Sequence, residues 1–413
     1  MTRSGGLFMK LLLGIGIMFG IMWVVSAFVP RSFSQETLTY FDRAFLDKST
    51  RRANLSYVSN GLQSIVTLLA LFMFANRGHK SSTLLGIQLS RQASPSGAFW
   101  VGVALALQTA VLLTLVSLPF RMYNGYYLEK TFGLSRLTIS GWLVELLKSS
   151  LLNFFIYAIA GGLAAFLLAR FPGTWPYLLT VLLFFGSIFF AYLYPSVIAP
   201  MFDEFAPLED PVLLQDVQEL AANAGMKVDK VLVMEASAKT ARANAYFTGL
   251  GRAKQVVLYD TLLANHSVEE VRLVLAHELG HWKYGHIMRG ISVSAAGTLI
   301  VAMLFSLVSG PVPGRLSIEM LREVFLSLVL FAVLTSYVAT PVASFLSRRN
   351  EIQADVFSLN VTGDPDSFIA AMIGLAKANL GDVQPPRFIR WFAWTHPATV
   401  ERITLGEQWK SGP

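Results

Sequence analysis

The sequence predicts a mostly α-helical, polytopic membrane protein of about seven transmembrane helices that carries a small α+β domain. Three observations predict it. Hydrophobic residues make up 54% of the 413 residues and charged residues only 14%, well below the roughly 25% charge of a soluble domain. Apolar runs long enough to cross a hydrocarbon core of about 30 Å, which takes about 20 helical residues, recur along the chain. Between the fifth and sixth runs the composition turns to that of a soluble domain, and an H-E-x-x-H pattern falls there, at 277–281.

In chain order the spans read 11–29, 57–75, 98–120, 149–168, 175–198, 291–310 and 324–346. The first follows Arg3 and Lys10 and ends near Ser26-Ala27, as a cleavable signal peptide does. Its apolar stretch is longer than a usual signal core, so a retained span is expected. The second is the weakest, because Gln63 interrupts it. The chain has no cysteine, which excludes a disulfide framework and a thiolate-ligated metal. A net charge of +7 suits basic loops beside anionic lipid. No basic stripe with interleaved aromatics occurs, so nucleic acid is not expected as a partner. Seven spans place Arg43, Lys48, Arg51, Arg52, Arg121, Lys130, Arg136, Arg348 and Arg349 on one face, against Arg77, Lys80, Arg91 and the N-terminus on the other. The first of these faces, which also holds the H-E-x-x-H segment, is expected to be cytoplasmic.

The soluble insert covers residues 201–289. Asp210 before Pro211 is an N-cap followed by proline at the first helical position, Leu213, Val217, Leu220 and Ala221 follow at helical spacing, and Gly225 closes the helix. Stretches 230–235 and 255–259 read as short strands flanking Ala243-Asn-Ala-Tyr-Phe-Thr-Gly249. Ser267-Val-Glu-Glu270 is a capping box, and Val268, Val271, Leu275 and Leu279 then recur at helical spacing. On that helix His277 and His281 share a face, as residues four apart do, and can ligate one zinc while Glu278 handles water. With six histidines in the chain, a chance match is improbable. No proline separates this helix from the sixth span, so the ten residues from His281 to Ile291 rise about 15 Å. The metal is expected close to the bilayer.

Two histidines and a water leave a catalytic zinc one protein ligand short. His286 lies nine residues after His277, on the opposite face of a continuous helix, and reads as structural or exposed. His79 and His266 read as surface residues. Glu351, in Ser347-Arg-Arg-Asn-Glu-Ile-Gln-Ala-Asp355, is better placed. Spans six and seven form an antiparallel pair, so the segment after the seventh returns to the side where the zinc helix began. Asp355 is four residues on, on the same face, where it can hydrogen-bond a ligating histidine. The competing reading of both is a charged helix end anchored by arginines. On its residues alone Asn244 reads equally as a turn asparagine or as a donor beside the site, and His396 as a common His-Pro loop pair.

Together these residues resemble the type I CAAX prenyl endopeptidase family, integral-membrane zinc metalloproteases of the gluzincin kind. The resemblance covers most of the chain. It rests on Phe205-Ala-Pro-Leu-Glu-Asp210, Asn244-Ala-Tyr-Phe-Thr-Gly249, Val256-Val-Leu-Tyr-Asp-Thr-Leu-Leu263, the H-E-x-x-H, Glu351-Ile-Gln-Ala-Asp355 and Trp394-Thr-His-Pro397 with Arg402. It implies His277, His281 and Glu351 as ligands of Zn2+ and Glu278 as the general base. Asp355 would lie behind the ligands, Asn244 and His396 would stabilise the tetrahedral intermediate, and Arg402 would support the site. It further implies a water-filled chamber among the spans and membrane-associated substrates cut near the C-terminus, prenylated in eukaryotic members. The membrane would be the inner or plasma membrane in a bacterium and the endoplasmic reticulum in a eukaryote. No pattern signals an oligomeric state.

The expected division is five transmembrane helices over 1–200, the insert with the zinc helix over 201–289, helices six and seven over 290–346, and the rest of the protease domain, with the third ligand, over 347–413. The closest rival function is a heat-shock-type quality-control membrane zinc protease, which usually has fewer spans. A transporter with a structural zinc would show internal repeats and paired broken spans, and none is seen. An inert scaffold is disfavoured because every residue the chemistry needs is present.

Overall fold

The computed structural model describes residues 3–411 apart from 78–82, 85–86, 89–91, 224, 226–227, 229 and 252–253. His79 therefore lies outside the described residues. The chain runs α1 (Arg3–Ser26), α2 (Gln35–Tyr40), α3 (Arg43–Arg77), a hairpin of β1 (Thr83–Leu84) and β2 (Ile87–Gln88), and α4 (Pro95–Met122), which passes through a π-helical turn into α5 (Glu129–Thr131). Next come α6 (Ile139–Arg170) and α7 (Trp175–Leu193), then β3 (Phe205–Pro207), α8 (Pro211–Asn223), β4 (Val231–Met234), β5 (Ala245–Thr248) and β6 (Gln255–Tyr259). Last come α9 (Asp260–Asn265), α10 (Val268–Lys283), α11 (His286–Ser309), α12 (Ile318–Thr362), α13 (Pro365–Asn379), α14 (Arg387–Phe392) and α15 (Thr399–Lys410).

Seven helices among the described residues are long and apolar enough to cross a membrane. The protein is a multi-pass integral membrane protein, mostly helical, with a small mixed α+β part. Each expected span is found, including the one interrupted by Gln63, which lies within the 35 residues of α3. Most helices outrun the apolar run that announced them, because helical pairing continues through polar residues once the backbone is started. The extreme case is α12, with 45 residues. At 1.5 Å per residue it is about 68 Å long, roughly twice a hydrocarbon core. Its last turns therefore stand outside the membrane and carry Glu351 and Asp355.

The insert folds as predicted at its signals. Asp210 Oδ1 accepts from the backbone N–H groups of Val212 (2.9 Å) and Leu213 (3.1 Å) to start α8, and the Ser267–Glu270 capping box starts α10. The four-stranded sheet has the order β3-β4-β6-β5, with β4 and β6 parallel and the outer pairs antiparallel. Stretch 245–248 is thus itself a strand, at the sheet edge. Val271, Leu275 and Leu279 of α10 share one apolar core with Val256 and Leu258 of β6, Phe368 and Met372 of α13 and Ile403 of α15. The tail after the seventh span therefore packs into the same core as the insert. A second core, with Leu68, Leu105, Leu168, Phe305 and Phe331, joins the membrane helices.

Two sequence expectations need correction. The zinc helix does not run unbroken into the sixth span. It stops at Lys283, and Gly285, with φ 62°, turns the chain before α11 starts at His286. Glycine takes that left-handed conformation without the steric cost of a Cβ, and the break resets the helical phase. His266, read as a surface residue, has a side chain only 2% exposed that bonds Glu270 at 2.9 Å. The capping box pulls this loop against α13, where Gly374 leaves room for the ring.

Candidate metal centre

Helix α10 presents His277 and His281 on one face, and α12 crosses it and delivers Glu351. His277 Nε2 lies 3.1 Å from His281 Nε2 and 3.3 Å from Glu351 Oε2, and His281 Nε2 lies 3.5 Å from Glu351 Oε1. A tetrahedral zinc with bonds of about 2.0–2.1 Å spaces its ligand atoms about 3.3 Å apart. The three side chains form a group that can hold a metal ion.

The hydrogen bonds behind the cluster decide which atoms face its centre. His277 Nδ1 sits 2.8 Å from Asp355 Oδ1. A carboxylate only accepts, so Nδ1 carries the proton and Nε2 turns a lone pair inward. Asp355 is fully buried and is held by Arg402, whose Nε donates to Oδ2 at 2.9 Å and whose Nη2 donates to Oδ1 at 2.5 Å. Glu351 Oε2 is buried without a hydrogen-bond partner. A lone pair and an orphaned carboxylate oxygen aimed at one point are costly unless a cation sits there. A proton on Nε2 can also be that cation: burial works against it, but the facing carboxylates of Asp355 and Glu351 outweigh burial and raise the His277 pKa to about 9. The pocket favours positive charge, and a metal entering it displaces that proton.

Glu278 follows His277 on α10, and its Oε2 accepts from the Phe247 N–H of β5 at 3.2 Å. Burial pushes its carboxyl above the usual range, although His277 and His281 pull the other way. His396, in the loop before α15, brings Nε2 to 3.4 Å from Glu351 Oε2 with a side chain 57% exposed. The structure thus gathers His277, His281, Glu351, Asp355, Arg402 and His396 at one place and joins Glu278 to the edge strand. Asn244, with an exposed side chain, stands at the head of β5, three residues before Phe247. Its neighbour Ala243 is clamped by Asn379, whose side chain accepts from Ala243 N (3.1 Å) and donates to Ala243 O (3.0 Å). Sequence reasoning missed Asn379, since one asparagine at a helix end carries no signature of a partner 136 residues away.

Of the two readings of His286, structural or exposed, the structure bears out the first. His286 is buried, with Nδ1 2.8 Å from His281 Nδ1 and Nε2 3.1 Å from Gln353 Oε1. The opposite face holds only for an unbroken helix, and the turn at Gly285 brings the ring round to His281. A cavity of about 530 Å³ reaches from His396 and Arg402 past Arg52, Tyr57 and Asn60 of the second span, and a second of similar size continues from Asn60 to Asn124 and Glu145.

A seven-span bundle carrying an H-E-x-x-H helix, with a glutamate delivered from a second helix, defines an integral-membrane metallopeptidase. The comparisons make the assignment specific. The profile described as Peptidase family M48 matches residues 207–409, and that described as CAAX prenyl protease N-terminal, five membrane helices, matches 29–204. The chain is 32% identical to CAAX prenyl protease 1 of Saccharomyces cerevisiae over 317 residues, covering 71% of this chain and 69% of the yeast protein. It is 29% identical to the uncharacterized metalloprotease YhfN of Bacillus subtilis, covering 74% and 72%. The crystal structure of S. mikatae Ste24p superposes with a TM-score of 0.78 at 25% identity, covering 98% of this chain and 99% of that one. The chain belongs to the CAAX prenyl protease family of M48 metallopeptidases.

Proposed function

We propose that the protein is a zinc endopeptidase that hydrolyses a peptide bond near the C-terminus of membrane-associated, prenylated substrates. The observation that carries the metal is the spacing of 3.1, 3.3 and 3.5 Å among the His277, His281 and Glu351 donor atoms. An imidazole pair with one carboxylate and a free position is a donor set that suits zinc. The names of relatives such as yeast CAAX prenyl protease 1 support the substrate class.

In this reading His277, His281 and Glu351 hold Zn2+, which when bound acidifies a water and polarises a carbonyl. Asp355, backed by Arg402, fixes the His277 tautomer. Glu278 takes one proton from the attacking water as its oxygen forms the new bond to the carbonyl carbon. It then delivers that proton to the departing nitrogen, so the C–N bond breaks to give a carboxylic acid and an amine, and the second water proton passes from the new acid to the amine to leave carboxylate and ammonium. His396, exposed and facing Glu351, donates to the developing oxyanion. The substrate lies extended along the free edge of β5, where backbone pairing gives affinity, and Asn244 at the head of that strand supplies a second donor. The cavities running from His396 towards Glu145, into which Arg52, Asn60 and Asn124 bring polar groups, support a wet path among the spans.

The catalytic part faces the cytoplasm in this reading, as the basic loops suggest. The chain divides into membrane helices over 1–200, a first protease segment over 201–289, membrane helices over 290–346 and a second protease segment over 347–413. The test uses detergent-purified wild type and Glu278→Ala on one C-terminal peptide, farnesylated and unlipidated. Wild type is expected to cut the farnesylated peptide faster and Glu278→Ala to bind zinc without cutting. Equal rates on the two peptides would refute the prenyl preference and favour a quality-control protease, and an active Glu278→Ala would refute the base.

A further inference from the structure

The structure assigns His286 a role that its position in the sequence concealed: it positions the metal ligand His281 through a relay that ends on Arg289. Arg289 can only donate, and its Nη1 donates to Asn350 Oδ1 (2.9 Å) and to Gln353 Oε1 (3.3 Å). The Gln353 amide therefore turns its oxygen towards this group, and His286 Nε2, 3.1 Å from the same oxygen, must be the donor. A neutral His286 then carries a lone pair on Nδ1. That atom lies 2.8 Å from His281 Nδ1, which must supply the proton. His281 is left with its lone pair on Nε2, the atom 3.1 Å from His277 Nε2.

Each histidine of the cluster is thus fixed from behind by a different device. Asp355 and Arg402 hold His277, and the His286–Gln353–Arg289 relay holds His281. The relay also ties the ligand to the membrane part, because His286 and Arg289 open the sixth span and Gln353 lies in the extension of the seventh. Gly285 makes it possible. On an unbroken helix His286 would point away from His281, and the left-handed turn at φ 62° swings it back.

The proposal rests on the zinc reading above, and the test separates the two. Zinc dissociation constants are measured by chelator competition on purified wild type, His281→Ala, His286→Leu and His286→Asn, each checked for a monodisperse fold by gel filtration. Leucine fills the buried site without an acceptor, whereas the asparagine oxygen sits close to where Nδ1 was. His286→Leu is expected to weaken zinc binding about 10–100-fold, the usual cost of losing a partner behind a ligand, and His286→Asn to recover most of that loss. Zinc binding by His286→Leu as tight as that of wild type overturns the relay while leaving the metal site standing, and so does equal weakening in both variants, which marks a packing role. Wild type that takes up no zinc, or His281→Ala that retains it, overturns the metal reading itself.

Discussion

A nitrogen lone pair becomes a ligand only when something fixes the proton on the other side of its ring. His277 gets this from Asp355 at 2.8 Å, and Asp355 depends in turn on Arg402. Arg402→Ala leaves the fully buried Asp355 without its cation and is expected to cost about 3–5 kcal/mol, seen as a lowered unfolding midpoint as well as weaker zinc binding. Glu278 differs, because it lies beside the cluster of His277, His281 and Glu351 and not in it. Glu278→Gln is expected to keep full zinc content and to lower kcat by about 10²–10⁴-fold, measured on a peptide that wild type cleaves. Loss of zinc in that variant would show that the carboxylate serves the metal instead.

At the scale of elements, the site is the crossing of α10 and α12. Their separation is set at Gly280, within the H-E-x-x-H. A Cβ there would lie 3.0 Å from the Ala354 Cα and 3.1 Å from the Phe357 ring. Backbone cannot yield as a flexible side chain can, so Gly280→Leu is expected to push the helices apart and move both histidines from Glu351. Zinc content of the purified, still folded variant should fall. An unchanged content would mean the crossing tolerates the side chain. Helix α10 was readable because its capping box, apolar period and motif agree over one continuous stretch. Its end was not, because the Tyr284-Gly285 pair resembles many glycines that helices tolerate, and only the packing of α11 shows that this one reverses φ. The place of Glu351 beside the two histidines was readable through topology, since an antiparallel pair of spans returns the chain to the side it left. His286, Asn379 and the packed ring of His266 depend on side chains meeting across elements, for which the sequence carries no period.

At the scale of the whole molecule, the protease part is bound to the membrane part by ion pairs, one of them on the buried Asp382 and the others half-buried. Arg31, after the first span, donates to Asp382 at 2.9 Å and 3.1 Å, and Tyr57 of the second span donates to the same carboxylate at 2.8 Å. Glu129 accepts from Arg52 and from Arg242, the latter at 2.7 and 3.0 Å, and so joins the second and third spans to the loop that leads to Asn244. Arg31→Met leaves Asp382, with a side chain only 2% exposed, short of its cation and is expected to cost about 3–5 kcal/mol. Arg31→Met with Asp382→Leu should regain most of it, because removing both partners is far cheaper than stranding one. Thermal unfolding in detergent separates the two cases. A double variant no better than the single one would mean these residues act by packing and not by charge.

A zinc ion held between α10 and α12 is the central claim, and X-ray absorption at the zinc edge on purified protein tests it most directly. It predicts one zinc per chain with four nitrogen or oxygen neighbours at about 2.0–2.1 Å, two of them imidazoles, and a disrupted shell in Glu351→Ala. Protein purified without zinc that takes none up, or a shell unchanged by Glu351→Ala, would contradict it.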